Sequence, residues 1–136
     1  RFHKWDCQTE RYETIADWAC AKLTGANQVA LEGYAYGGKG NRLFQIAENT
    51  GVLKYKLYQQ LLPIEIVAPS EVKKFATQKG NATKLDMHSA FQKDTRINLK
   101  QMISPDQKDI SNPVSDIVDS FYICKLLYTK IKNKGI

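Results

Sequence analysis

Three carboxylates sit where an acid invites a chemical explanation. Glu32 closes the apolar run QVALE (28–32), and Asp116 and Asp119 fall in the first turns of the last apolar-periodic segment. Residues three apart share a helix face, and the line through Asp116 and Asp119 continues to the apolar Ile123 and Leu127. Both acids therefore point along a face expected to touch protein. Carboxylates gathered in a cleft repel one another and are costly to ionise, and a hard cation with oxygen preference, Mg²⁺ or Mn²⁺, relieves both problems. Each acid also has a structural use by itself: Asp116 can cap a helix or complement its dipole, and Glu32 can pair with a neighbouring lysine. Only the three together favour a metal site.

Lys73, Lys74, Lys79 and Lys84 bracket the glycine-containing loop QKGNATK (78–84). Lysines beside exposed backbone amides suit phosphate contacts, although a lysine run is commonly a solvated face. The segment GYAYGGKGN (33–41) and the residue after it interleave Tyr34 and Tyr36 with Lys39 and Arg42. That mixture suits base stacking and phosphate pairing, and the tyrosines equally suit packing on a sheet. GGKGN lacks the GxxxxGK[ST] spacing, which excludes P-loop nucleotide hydrolysis. Cys7, Cys20 and Cys124 form no CxxC or zinc spacing and read as reduced intracellular thiols, Cys20 and Cys124 as core residues. His3 and His88 read as surface or capping side chains rather than ligands.

The elements that must carry these residues follow from periodicity. Ile15, Trp18, Ala19 and Leu23 give an amphipathic helix capped near Thr9 and ended by Gly25. Residues 28–32 and 64–67 are short buried-strand candidates. A long helix spans 41–61, interrupted by Gly51, where the lost side chain suggests close approach to another backbone. Pro69 opens a third helix, a fourth runs from 82 to about 93, and Pro113 opens the last, with an apolar stripe of Val114, Ile117, Val118, Phe121, Cys124 and Tyr128. The polar stretch 94–112 is a surface connection. Strand, helix, strand, helix indicates α/β architecture, but two strands make a poorly supported sheet. Either RFHKWD (1–6) pairs as an edge strand or sheet strands are missing at the amino end, and the second is expected.

The 136 residues fit one domain, 1–136. Its 43% hydrophobic and 25% charged residues exclude a disordered or collagen-like chain. Twenty Lys+Arg against fourteen Asp+Glu give a net charge of +6, which favours a polyanionic partner, with nucleic acid the first suspect. No stretch approaches the roughly 18 consecutive apolar residues of a membrane span, and the amino terminus has no signal-peptide pattern.

Taken in order, VALEGYAYGGKGNRLFQIAENTGVLKYKL, PIEIVAPSEVKKFATQKGNATK and PVSDIVDSFYICK resemble RuvC-type Holliday junction resolvases, especially the branch found in phages and large DNA viruses. The resemblance spans about residues 28–128 and implies an α/β, RNase H-like mixed sheet flanked by helices. It also implies a homodimer that incises symmetric strands of branched DNA, the four-way junction above all, with Mg²⁺ or Mn²⁺ as a pair of ions. By motif, Glu32 is the second catalytic acid and Asp116 and Asp119 are the pair on the final helix. Lys73 and Lys84 match lysines near the scissile phosphate, and Lys79 lies in the same loop. Tyr34 and Tyr36 fall in an aromatic-bearing loop at the junction centre, and helix 41–61 with Gly51 lies near the dimer interface. One departure stands out: no first strand with a first catalytic Asp is present, since Asp6 precedes the first helix and Asp17 lies inside it. Two further readings stay open, a non-catalytic branched-DNA binding module of the same fold, and another nuclease or transposase of that fold.

Overall fold

The computed structural model describes residues 4–34 and 40–135. Its elements in chain order are α1 (Gln8–Lys22), β1 (Val29–Glu32), α2 (Asn41–Gln59), β2 (Ile64–Val67), α3 (Pro69–Thr77), α4 (Lys84–Thr95), α5 (Leu99–Ile103) and α6 (Val114–Asn133). Among the described residues the sheet has two strands, β1 beside β2. The Val29 N–H donates to Pro63 O at 2.9 Å and the Gly33 N–H to Val67 O at 2.7 Å, so the register holds a constant offset and the strands run parallel. The expected mixed sheet is thus a parallel pair in a chain that is mostly helix. No described helix is long and apolar enough to cross a membrane.

The chain divides into two compact units, Arg1–Val29 with Tyr34–Glu65, and Ala30–Gly33 with Ile66–Ile136. The first is a helical hairpin. Tyr12, Ala16 and Cys20 recur every four residues and bury one face of α1, and Leu57 is fully buried on α2. The hairpin is closed by polar contacts: the Lys56 ammonium reaches Glu13 at 3.3 Å and Asp17 at 2.5 Å, and the Tyr12 hydroxyl donates to Glu48 at 3.2 Å. Gly51 is not a point of close approach among the described residues, because a Cβ there would meet nothing within 4 Å. The expected Thr9 cap is also absent; Cys7 is the N-cap of α1 and makes no side-chain cap bond.

The second unit holds the larger core, in which Val67, Val72, Met87, Phe91, Val114, Val118, Tyr122 and Leu126 pack together. Pro69 starts α3, where a missing N–H costs nothing. Thr83 caps α4 through a reciprocal pair with Asp86. Ala82, expected as the first residue of that helix, instead plugs the core from the preceding loop, 3% exposed. Segment 94–112 carries the short helix α5, pinned by buried Leu99. Buried His88 accepts the Lys100 N–H through Nε2 at 3.1 Å, so it caps α5 from inside rather than at the surface. Cys124, expected in the core, is exposed. Apolar residues occur on more than one face of α6, and the buried line runs through Val114, Val118, Tyr122 and Leu126, leaving Ile117 and Tyr128 outside.

Candidate acidic active site

All three sequence-nominated acids belong to the second unit, each on a different kind of support. Glu32 is the last residue of β1, and it stands on backbone anchored by the Gly33 N–H to Val67 O bond. A Cβ at residue 33 would lie 3.3 Å from Ile66 Cγ2 and 3.5 Å from Val67 O, so glycine lets the end of β1 lie close to β2. Asp116 and Asp119 occupy the start of α6, Asp116 exposed and Asp119 half-buried. They flank Val118, 1% exposed, whose burial fixes how α6 presents them.

These carboxylates sense one another. Burial pushes the Glu32 carboxyl above its ordinary value; Asp119 and Asp116 push it further, and Lys73 opposes them. Burial likewise raises Asp119, Asp116 adds to the rise, and Lys73 and Lys84 pull it back. Lys73, half-buried on α3, and Lys84, exposed as the first residue of α4, thus act on the same acids from separate helices. Lys79 does not join them; its charge acts on Asp86, whose carboxyl is held low mainly by the Thr83 bonds.

The donor set is all carboxylate oxygen, mutually repelling and partly desolvated, which fits Mg²⁺ or Mn²⁺ in chemistry. Among the described residues, no three His, Cys, Asp or Glu side chains stand close enough to cage an ion by themselves. Such an open set is compatible with Mg²⁺ at phosphoryl sites, which keeps several waters and uses one or two carboxylates together with substrate phosphates.

Tyr34 and Arg42 belong to the hairpin unit. The exposed Tyr34 ring lies 5.4 Å from the Lys54 ammonium, and its hydroxyl donates to Ala47 O at 3.5 Å, which ties it to α2. Arg42 lies in the first turn of α2. Tyr36 and Lys39 lie outside the described residues.

With this geometry in view, comparison with solved structures is decisive for the fold. The chain superposes on a Thermus thermophilus RuvC structure with a TM-score of 0.69 at 13% identity, covering 97% of this chain and 75% of that one. The chain has a RuvC-like fold. No protein-family model matches the sequence, and no curated protein matches it.

The sequence did not reveal the bracing of α6. The Tyr122 hydroxyl donates to Asp94 at 2.9 Å, and the Lys125 ammonium reaches the same oxygen at 3.2 Å. These contacts hold Asp94 below the usual carboxylate range and tie the end of α4 to α6 one turn beyond Asp119. Lys130 pairs with Glu71 at 2.8 Å and links α6 to α3. One signal was available: Asp94 is an acid in the last turn of a helix, where the dipole disfavours it, so a local partner was to be sought.

Proposed function

We propose that this chain is a metal-dependent endonuclease of the RuvC type that cuts branched DNA, four-way junctions above all. The observation that carries this reading is the mutual electrostatic pressure among Glu32, Asp119 and Asp116, with Lys73 and Lys84 beside them on a RuvC-like fold. Glu32, Asp116 and Asp119 would hold Mg²⁺ or Mn²⁺, two ions by family resemblance. Bound there, the cation supplies an activated water and charge stabilisation at the departing 3′ oxygen. The protein's own contribution is positional and electrostatic. The β1 end and the α6 start fix the carboxylates, while the Lys73 and Lys84 ammoniums offset negative charge that grows on the phosphate in the transition state. Tyr34, Tyr36, Lys39, Arg42 and Lys79 are proposed contacts to the DNA. A second copy of the chain would pack on α2, where Phe44, Gly51, Tyr55 and Tyr58 share an exposed face. That face matches the sequence resemblance, which puts this helix near a dimer interface.

A second reading, a branched-DNA binding module without cleavage, is favoured by the lack of a closed three-ligand cluster among the described residues. One assay separates the two. A labelled four-way junction is incubated with the chain in Mg²⁺, with Ca²⁺ as a binding-only control and linear duplex as a competitor. The nuclease reading expects paired nicks across the junction, lost by at least about a hundredfold in Glu32→Gln and Asp119→Asn while binding in Ca²⁺ persists. Cleavage by Glu32→Gln at the wild-type rate would overturn it. Tight, salt-sensitive binding without nicks would favour the module.

A further inference from the structure

Asp94 ties together the two helices that carry Lys84 and the paired acids. It lies in the last turn of α4, where the helix dipole disfavours a carboxylate. Both of its polar partners come from α6 and meet the same oxygen: the Tyr122 hydroxyl donates at 2.9 Å and the Lys125 ammonium at 3.2 Å. Lys125 also lies 5.7 Å and 5.9 Å from the Phe121 and Tyr122 ring centroids. Phe121 stands edge-on to Phe91 of α4 and to Tyr122, with centroids 5.1 Å apart in each pair. Ring contacts of this kind tolerate a small rotation of one helix against the other, whereas a hydroxyl–carboxylate bond weakens steeply away from its preferred angle.

The charged groups of the acidic site ride on the same two helices. Asp116 and Asp119 stand in the first two turns of α6, and Tyr122 follows Asp119 by three residues, so the two share a face. Lys84 is the first residue of α4, and its charge acts on Asp119. A rotation of α6 that takes Tyr122 from Asp94 therefore also displaces Asp119 relative to Lys84 and to Glu32. A carboxylate carbon about 5 Å from the helix axis moves about 1.7 Å for a turn of about 20°. A misplacement of about 1 Å in a reacting constellation can cost on the order of a hundredfold in rate.

We propose that Asp94 is a positioning residue for the acidic site: by holding the Tyr122 hydroxyl it fixes the rotation of α6, and so sets Asp116 and Asp119 for a divalent cation. The proposal rests on the nuclease reading above and adds to it a residue that acts through the helix rather than on the reacting atoms. Lys125 supports the arrangement by keeping the Asp94 carboxyl ionised as the acceptor.

The test compares the wild-type chain with Asp94→Ala, Asp94→Asn, Tyr122→Phe and Lys125→Gln by two readouts. One is Mn²⁺ affinity, from the EPR signal of the free ion; the other is the single-turnover rate of junction cleavage in Mg²⁺. Thermal melting confirms that each variant is folded at the assay temperature. Asp94→Ala is expected to weaken Mn²⁺ binding about tenfold and to slow cleavage by at least about tenfold, with junction affinity in Ca²⁺ held within about twofold. Asp94→Asn makes the same change of charge but keeps an oxygen that accepts the Tyr122 proton, so it should recover most of both losses. Tyr122→Phe removes the bond with no change of charge and should match Asp94→Ala, and the two combined should add little. Lys125→Gln leaves that bond in place and should cost least. Equal losses in Asp94→Ala and Asp94→Asn would indicate a charge effect at a distance and overturn the positioning role, as would wild-type Mn²⁺ affinity and rate in Asp94→Ala. If Asp94→Ala does not fold, Tyr122→Phe decides in the same way. A wild-type chain that binds Mn²⁺ without cutting overturns the nuclease reading, and the Mn²⁺ affinities still decide the role of Asp94. One that neither binds Mn²⁺ nor cuts overturns both.

Discussion

The hairpin and the second unit use their apolar residues differently. On the hairpin the buried residues are Tyr12, Ala16, Cys20, Val29 and Leu57, while Trp18, Phe44, Tyr55 and Tyr58 are each more than 60% exposed. In the second unit Tyr122, Val67, Val72, Val114 and Val118 are almost wholly covered, while Leu85, Met102 and Tyr128 stand exposed. The second unit therefore has the core needed to hold repelling acids in place, whereas the hairpin leaves aromatic surface for partners. The close-packed core and the acidic cluster lie in the second unit, and the exposed aromatic face of α2 lies in the hairpin.

The sharpest way to break this contrast is to remove a core side chain. Tyr122→Ala deletes the ring and leaves Asp94 without its hydroxyl donor, so it should destabilise the chain by about 3–5 kcal/mol, read by denaturant unfolding. A smaller effect is expected at His88, where alanine leaves the Lys100 N–H unpaired at a cost of about 1–3 kcal/mol. The same residue gives a pH signature. Burial, and then the Lys100 charge, lower its pKa below the ordinary 6.5. A depressed histidine stabilises the fold above the unfolded-state value and loses that contribution as pH falls below about 6.5 through the lower folded value. Unfolding free energies at pH 7.5 and pH 5 should thus differ more in wild type than in His88→Gln.

Substitutions in the acidic site should act in the opposite direction. Folding raises the pKa values of Glu32 and Asp119, so their charged forms oppose the fold at neutral pH. Glu32→Gln and Asp119→Asn should raise the melting temperature in metal-free buffer, on the order of a few degrees, while abolishing cleavage. The smallest change in monomer stability is expected on the hairpin. Phe44→Glu with Tyr58→Glu should move unfolding by no more than about 0.5 kcal/mol each, yet shift sedimentation from the proposed dimer to monomer.

How much of this was legible depended on whether the signal was local. β2 and the start of α3 follow directly from IEIV and Pro69, and Glu32 was visible as an acid at a strand end. The α4 start was placed early because Thr83 pairs with Asp86, whereas the usual box partner is Glu or Gln. The α6 stripe holds at Val114, Val118 and Phe121 but not at Ile117, Cys124 and Tyr128, because periodicity cannot choose among several apolar faces; packing against Val67, Val72 and Phe91 chose the one through Tyr122. Arg11 and Asn49 line one cavity only because α1 and α2 fold together, and His88 caps a helix twelve residues away. No spacing within one element announces such contacts.

The most direct measurement of the coupled acidic site is the titration of the Glu32 carboxyl by NMR, in wild type, in Asp119→Asn and with added Mg²⁺. The expected result is a wild-type midpoint above the ordinary 4.5, lowered both by the substitution and by the cation. An ordinary midpoint that neither change moves would contradict a shared cation site.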